Sequence, residues 1–322
     1  MTRKIYRCVA AGLLAAALQA ILLAQAGRVP LAAYESDYFR ADKPAYHLTP
    51  VKYLAGALVG KGDSTPHEGR KDVAFLRVMG LLAFIQFVRL NFGNRRAFWA
   101  FAIFLSFPPT LPYLVRLDSW MDSVSLLLIA LYGMSRARQI GIGWTHVLWS
   151  FFAGMFAALA LDSKVTAALT LAGALIVLFH KLPVRRILIF AGGATFGFGL
   201  AQIGWILNPL QALDHVRYWQ SINAAKEALP VFYPVTELFR SIPLTIWCLT
   251  AIGALEFKKD RTLAAFAGLS LVPVVFFMSY RKYNPDGMRH LFLALPFFAI
   301  WAAAGIERLG RTPKIIDRKS VV

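Results

Sequence analysis

Long apolar runs separated by short polar segments dominate the amino-acid sequence. These runs cover residues 8–26, 73–90, 97–115, 120–134, 144–161, 165–179, 187–207, 242–255, 263–280 and 291–306. A helix that crosses the hydrocarbon core of a bilayer needs about 20 mostly apolar residues. The pattern therefore predicts an all-α, polytopic integral membrane protein with about ten transmembrane helices.

Three of these runs carry further signals. The run 97–115 contains three prolines, which predicts that its helix is bent or broken. Gly193 and Gly197 form the G-x-x-x-G spacing typical of closely packed membrane helices. The run 8–26 follows three basic residues and ends in Ala24-Gln25-Ala26, so it is either a retained first helix or the apolar part of a signal peptide. Its length favours the retained helix.

The charge follows the membrane topology. Hydrophobic residues make up 58% of the chain, charged residues make up 16%, and the net charge is +18. If the N-terminus is cytoplasmic and the runs alternate, the inside segments hold 19 basic and four acidic residues. This is the bias expected of cytoplasmic loops. We therefore expect both termini in the cytoplasm of a plasma, inner or ER membrane, contact with membrane lipids, and no nucleic-acid partner.

The chain is predicted to be one transmembrane domain, residues 1–322, with two long outside loops. These loops cover residues 27–72 and 208–241, and residues 307–322 form a basic cytoplasmic tail. In the first loop, Thr49-Pro50 is typical of a helix start. The apolar stripe that follows it indicates a short amphipathic helix on the membrane surface.

Two acidic groups fall on the predicted outside. Glu35-Ser36-Asp37 follows the first span, and a pair of carboxylates there can orient and deprotonate a hydroxyl, although a solvated acidic turn has the same composition. Asp118 and Asp122 are four residues apart at the start of the fourth span. They either face a wet cavity or stabilise the start of that helix.

Basic residues fall on the same side. Lys164, in Asp162-Ser163-Lys164, either binds an anion or forms a local ion pair. Arg281, Lys282, Arg289 and His290 crowd the last outside loop, where they either bind a phosphate or extend to lipid head groups. The two cysteines and six histidines show no spacing typical of metal ligands, so no metal site is predicted.

The combination resembles the GT-C glycosyltransferases, especially the dolichyl-phosphate-mannose mannosyltransferase and lipid A aminoarabinose transferase type. Glu35-Ser36-Asp37 matches the acidic motif of the family's first outside loop, and Asp118 matches its second-loop acid. Arg77 fits a recurrent arginine near the start of the second span, and the segment that begins Arg289-His290-Leu291 resembles the family's entry to a late span. The resemblance covers most of the chain.

The resemblance implies transfer of a hexosyl or pentosyl sugar from a polyprenyl-phosphate donor, with inversion at the anomeric carbon. Asp37 would be the general base, with Glu35 orienting it and Asp118 as a third catalytic acid. The implied substrate-binding residues are Arg77, Asp122, Lys164, Arg281, Lys282, Arg289 and His290. The use of a divalent cation varies in the family, and the resemblance implies no fixed cofactor.

Two alternatives remain open at this stage. The first is a non-catalytic subunit of another membrane protein, and the second is a transporter or flippase of a lipid-linked anionic substrate. A transporter is expected to carry charges near the bilayer midplane, and only Arg77 lies clearly within a span. Many relatives have a further soluble domain, so we expect acceptor recognition here from the outside loops or from a partner protein.

Overall fold

The computed structural model describes most of the transmembrane region. The described residues are 2–26, 66–116, 119–140, 143–164, 166–179, 183–207, 210, 213–214, 217, 220–221, 224–281 and 290–310. Within them, every regular element is a helix and no strand occurs. The predicted all-α class is therefore confirmed. The amphipathic segment after Thr49 and most of the loop 27–72 lie outside the described residues.

The helices are numbered here in chain order. They are α1 (Thr2–Ala26), α2 (Pro66–Phe92), α3 (Asn94–Ser106), α4 (Thr110–Val115), α5 (Ser119–Gln139), α6 (Trp144–Ser163), α7 (Ala167–Phe179), α8 (Val184–Leu207), α9 (Tyr233–Ser241), α10 (Leu244–Ala254), α11 (Arg261–Ser279) and α12 (Leu295–Leu309). Helix α2 begins at Pro66, inside the segment 27–72 that the sequence assigns to a loop.

Four helical stretches are long and apolar enough to cross a membrane, which makes the chain an integral membrane protein. They are Val73–Phe92, Trp144–Ser163, Val184–Gln202 and Arg261–Ser279. A fifth results if α9 and α10, which meet at a bend of 105°, are counted as one broken span. The predicted number of about ten spans is not confirmed, although each predicted run contains a helix.

Local sequence explains where several helices end. Gly93 separates α2 from α3 with a φ of 92°, a left-handed conformation that residues with a Cβ adopt at a cost. The predicted break in the run 97–115 is found at Phe107–Pro109, between α3 and α4. Pro108 and Pro109 lack the backbone N–H that would continue the α-helix. Asp260 caps α11 because its carboxylate accepts a hydrogen bond from the Leu263 N–H at 2.9 Å.

Glycine allows α6 and α8 to pack backbone to backbone. A Cβ added at Gly193 would collide with the Phe151 carbonyl, and one added at Gly197 would come within 2.6 Å of the Met155 carbonyl. Gly154 approaches the Phe190 carbonyl of α8 in the same way. The prediction that Gly193 and Gly197 serve helix packing is therefore confirmed.

Helix α12 occupies the centre of the described bundle. Most of its residues are buried, and Phe297 and Phe298 are among the largest fully buried side chains. Helix α8 is the least buried of the four long apolar stretches. Its exposed side chains, such as Phe196 and Phe198, are apolar, as expected of a helix that faces lipid.

Candidate functional site

Two polar clusters lie at opposite ends of the helices. Helix α2 has Arg77 near the start of its apolar stretch Val73–Phe92 and is followed by Arg96, while α12 is preceded by His290 and contains Glu307 in its last turn. Helix α11 contains Phe277 in its last turn and is capped by Asp260. Because α11 has 19 residues, the two ends are separated by about 28 Å along its axis.

The first cluster, called the Trp120 cluster, lies at the end that the sequence predicts to be outside. It consists of Arg77, Tyr113, Trp120, Asp122, Lys164, Phe277 and His290. They come from helices that are distant in the chain.

Arg77 is the most completely enclosed charged side chain of this cluster. Its Nε and Nη2 donate hydrogen bonds to Oδ1 of Asp122 at 3.1 and 2.7 Å. Its Nη1 donates to the Tyr113 carbonyl at 2.7 Å and to the Arg116 carbonyl. Arg77 is 0% exposed and Asp122 is 3% exposed. Arg77 therefore joins α2, the end of α4 and the first turn of α5.

A tryptophan brings together two of the predicted ligands. The Lys164 Nζ lies 5.0 Å from the centroid of the Trp120 ring, within the range of a cation–π interaction. The His290 ring packs edge-on against Trp120, with centroids 4.9 Å apart. Phe277 contacts both rings, with centroids 5.7 Å from Trp120 and 5.2 Å from His290. Trp120 and His290 are buried, and Lys164 is half-buried.

Arg281 occupies a different position, where two loops meet. Its backbone carbonyl accepts a hydrogen bond from the Leu229 N–H at 3.0 Å, and its Nε donates to the Leu229 carbonyl at 2.6 Å. The rest of the exposed Arg281 guanidinium carries further N–H donors. Arg281 thereby joins the segment before α9 to the end of α11.

The predicted site residues divide into two groups. Arg77, Asp122, Lys164, Arg281 and His290 are described, and the structure pairs Arg77 with Asp122 and brings Lys164 and His290 to one ring. The remaining candidates lie outside the described residues, and their roles stay predictions: Glu35, Asp37, Asp118, Lys282 and Arg289.

Sequence reasoning missed Trp120. The available signal was an aromatic residue two positions before Asp122 at the start of a predicted span, but aromatic residues are common at membrane interfaces. Its contacts with Lys164 and His290 join residues far apart in the chain, so no local pattern could predict them. Among the described residues, no group of three or more His, Cys, Asp or Glu side chains is placed to hold a metal ion.

The second cluster, called the Arg96 cluster, consists of Arg96, Glu256, Asp260, Glu307 and Arg308. Arg96 donates to Oε2 of Glu307 through Nε at 3.0 Å and Nη2 at 2.9 Å, and through Nη1 to Asp260 at 3.1 Å. Arg308 pairs with Glu256. All five residues fall in segments that the sequence assigns to the cytoplasmic side; which end faces the cytoplasm stays a prediction.

Comparison with solved structures shows the fold. The chain is similar to ArnT from Cupriavidus metallidurans bound to undecaprenyl phosphate, with a TM-score of 0.66, 15% sequence identity and coverage of 92% of this chain. It is also similar to the apo state of the same protein, with a TM-score of 0.62, 16% identity and coverage of 90%. The resemblance to transferases of the aminoarabinose type is thus confirmed at the level of the fold.

This chain matches only part of the length of ArnT. The matched region covers 60% of the ArnT chain in the bound structure and 54% in the apo structure. No family model matches the chain, and no curated protein sequence matches it.

Proposed function

We propose that the protein is a membrane glycosyltransferase that takes its sugar from a polyprenyl-phosphate donor. The observation that carries this proposal is the ArnT-like fold over 92% of the chain, because the matching structure holds undecaprenyl phosphate. The Trp120 cluster supports it, since Lys164 and His290 supply a cation and an imidazole at one end of the bundle.

The reaction joins an acceptor oxygen to the anomeric carbon and breaks the bond from that carbon to the phosphate oxygen. We propose that Asp37 accepts the proton of the acceptor hydroxyl, with Glu35 and Asp118 completing the acidic group. Attack from the face opposite the phosphate inverts the anomeric centre. The phosphate leaves with the polyprenyl chain and carries the developing negative charge.

Fixed cations stabilise such a leaving group because they are in place before the charge develops. We propose Lys164, Lys282 and Arg289 for this role, with Arg281 contributing its outer guanidinium nitrogens and His290 contacting the phosphate through its imidazole ring. Arg77 and Asp122 bond to each other in the protein interior, which supports a role in holding the site rather than direct contact with the donor. The substrate is expected to enter from the lipid at the end predicted to be outside.

The location of the described charges favours an enzyme over a transporter. Arg77, which is the fifth residue of the stretch Val73–Phe92, lies at the end of a span. A flippase or transporter is expected to place charges nearer the bilayer midplane. A non-catalytic subunit would require neither a general base nor a donor site, and the same experiment tests it.

The test is sugar transfer in membranes from labelled polyprenyl-phosphate sugars, at matched expression of wild type and variants. Loss of the general base in Asp37→Asn is expected to lower the rate about 10²–10⁴-fold. Asp63→Asn, in the same loop but outside the acidic motif, is the matched control and is expected to transfer at the wild-type rate. A fully active Asp37→Asn variant would remove the base assignment.

Two other results identify the alternatives. Movement of labelled donor across the membrane without transfer would establish the flippase. A wild-type protein that transfers from no donor and co-purifies stoichiometrically with another membrane protein would establish the non-catalytic subunit.

A further inference from the structure

We propose that Trp120 is a positioning residue, which holds the Lys164 ammonium and the His290 imidazole in one place at the end of the bundle where the donor phosphate binds. The contacts among these three side chains are observed whatever reaction the protein catalyses. That they bind a phosphate rests on the proposed function.

The Trp120 ring is fixed from several sides. It is 5% exposed, and Phe277 packs against it with centroids 5.7 Å apart. Asp122, in the same turn of α5, is held by two hydrogen bonds from the buried Arg77. The start of α5 therefore cannot turn about its axis without breaking a buried ion pair, which is a costly change.

The backbone that carries Lys164 is tied to the same turn. The Ser123 hydroxyl of α5 donates to the Ala160 carbonyl of α6 at 2.8 Å. The Lys164 N–H donates to that same carbonyl at 3.1 Å. The Ala160 carbonyl oxygen thus links Ser123 of α5 to Lys164, whose ammonium lies over the Trp120 ring.

A ring is a suitable holder for a lysine that must bind an anion. A lysine loses rotamer entropy when its ammonium is fixed, and an ammonium held over an aromatic face has already lost part of that freedom. The indole ring itself carries no net charge, so the contact with Trp120 orients the ammonium without adding a negative charge.

His290 extends the arrangement to the last outside loop. Its edge-on packing against Trp120 fixes the start of the segment that leads into α12. Edge-to-face contact is a favoured geometry for two such rings. Trp120 thus sets the relative positions of ligands from two segments more than 120 residues apart in the chain.

The first test measures donor KM and kcat for Trp120→Leu, Lys164→Ala and the double variant. Each single change is expected to raise the KM about tenfold and to lower kcat as well, because Lys164 is proposed to bind the donor phosphate and to stabilise the charge that develops on it as it leaves. The double variant is expected to raise the KM much less than the product of the two single effects, because Trp120 cannot position Lys164 once that lysine is absent and only its contact with His290 is still lost.

Two further variants keep this test decisive. Trp120→Phe retains an aromatic face and is expected to have a donor KM close to that of the wild type. This variant can still be measured if Trp120→Leu folds poorly. Trp301→Leu removes a half-buried tryptophan that packs on Phe298 in α12, outside the Trp120 cluster, and is expected to leave the KM unchanged. If the KM of the double variant rises about a hundredfold, the product of the two single effects, Trp120 and Lys164 act independently and the proposal is overturned.

The second test needs no activity. Reductive ¹³C-methylation keeps a lysine cationic, and a methyl group over an indole face gives an NMR signal shifted upfield by the ring current. We expect one shifted signal that disappears in both Lys164→Arg and Trp120→Leu but persists in Trp301→Leu. A Lys164 signal at the ordinary lysine position in the wild type would overturn the proposal.

The two tests separate two kinds of failure. If the wild type neither transfers sugar nor binds undecaprenyl phosphate, the proposed function is wrong, and the NMR signal still decides whether Trp120 holds Lys164. If the wild type is active but the effects of Trp120→Leu and Lys164→Ala multiply, the function stands and the positioning role is wrong.

Discussion

The two ends of the helix bundle hold their basic side chains by different contacts. In the Arg96 cluster, carboxylates match the arginines: Arg96 bonds to Glu307 and Asp260, and Arg308 bonds to Glu256. In the Trp120 cluster, one arginine is matched by one aspartate, while Lys164 and His290 pack against an aromatic ring.

This difference indicates different tasks. Charge-paired hydrogen bonds in the Arg96 cluster connect the ends of α3, α10, α11 and α12, and they hold these helices together. Contacts with an uncharged ring orient a side chain without adding a carboxylate. This agrees with the donor-phosphate site proposed for the Trp120 cluster, and the Arg77–Asp122 pair fixes the helix that carries the ring.

The largest effect is expected when the Arg77–Asp122 pair is broken. Arg77→Met leaves the Asp122 carboxylate, 3% exposed, without its arginine. A buried charge that loses its partner typically costs about 3–5 kcal/mol. We expect a loss of this size in the free energy of unfolding, measured by denaturant or thermal unfolding in detergent.

A double variant shows whether the lost charge balance is the cause. Arg77→Met with Asp122→Leu removes both charges, and it is expected to be more stable than Arg77→Met alone because no buried carboxylate is left without its arginine. The corresponding change at the other end, Arg96→Met, is expected to cost less, since the Glu307 and Asp260 side chains that lose their arginine are 10% and 32% exposed, against 5% for the Asp122 side chain. An Arg96→Met variant less stable than Arg77→Met would reverse the comparison.

An intermediate effect is expected between α8 and α6, the helix that Lys164 follows directly. Gly193→Ala places a methyl group against the Phe151 carbonyl, so the two helices must separate. Overpacking of this kind typically costs about 1–3 kcal/mol. A Cβ at the adjacent Gly192 meets no atom within 4 Å, so Gly192→Ala is the matched control.

The measurement is again the free energy of unfolding, together with the shifted Lys164 methyl signal. Gly193→Ala is expected to lower stability and to weaken the Lys164 ring-current shift, whereas Gly192→Ala leaves both unchanged. Equal stability of the two variants would show that the close approach of α6 and α8 does not set the packing.

The smallest effects are expected at Asp260 in the Arg96 cluster. Asp260→Asn keeps a side-chain acceptor for the Leu263 N–H but loses the pair with Arg96, and a partly exposed pair is worth about 0.2–1 kcal/mol. Asp260→Ala loses the helix cap as well, which typically costs about 1 kcal/mol more. Thermal unfolding of the two variants measures the difference, and identical stabilities would show that the cap contributes nothing.

Much of the local structure could be predicted because it depends on neighbours in the chain. Prolines 108 and 109 break the third run where the sequence predicts, and the spacing of Gly193 and Gly197 identifies a packing face. Residue chemistry also identified Arg77, Asp122, Lys164 and His290 as members of one region. The number of spans could not be fixed, because runs of 14 to 16 residues are compatible with a span or with a shorter buried helix.

The sequence by itself determined a helical membrane protein whose candidate polar residues lie near the ends of its apolar runs, because hydropathy and charge are local properties that the bilayer sorts. Only the tertiary structure decided which of these residues meet. Arg77 pairs with a carboxylate 45 positions away, and Lys164 lies over the ring of Trp120, which sequence patterns did not single out. Such contacts depend on how the helices are arranged and turned about their axes, and that is set by the packing of the whole bundle.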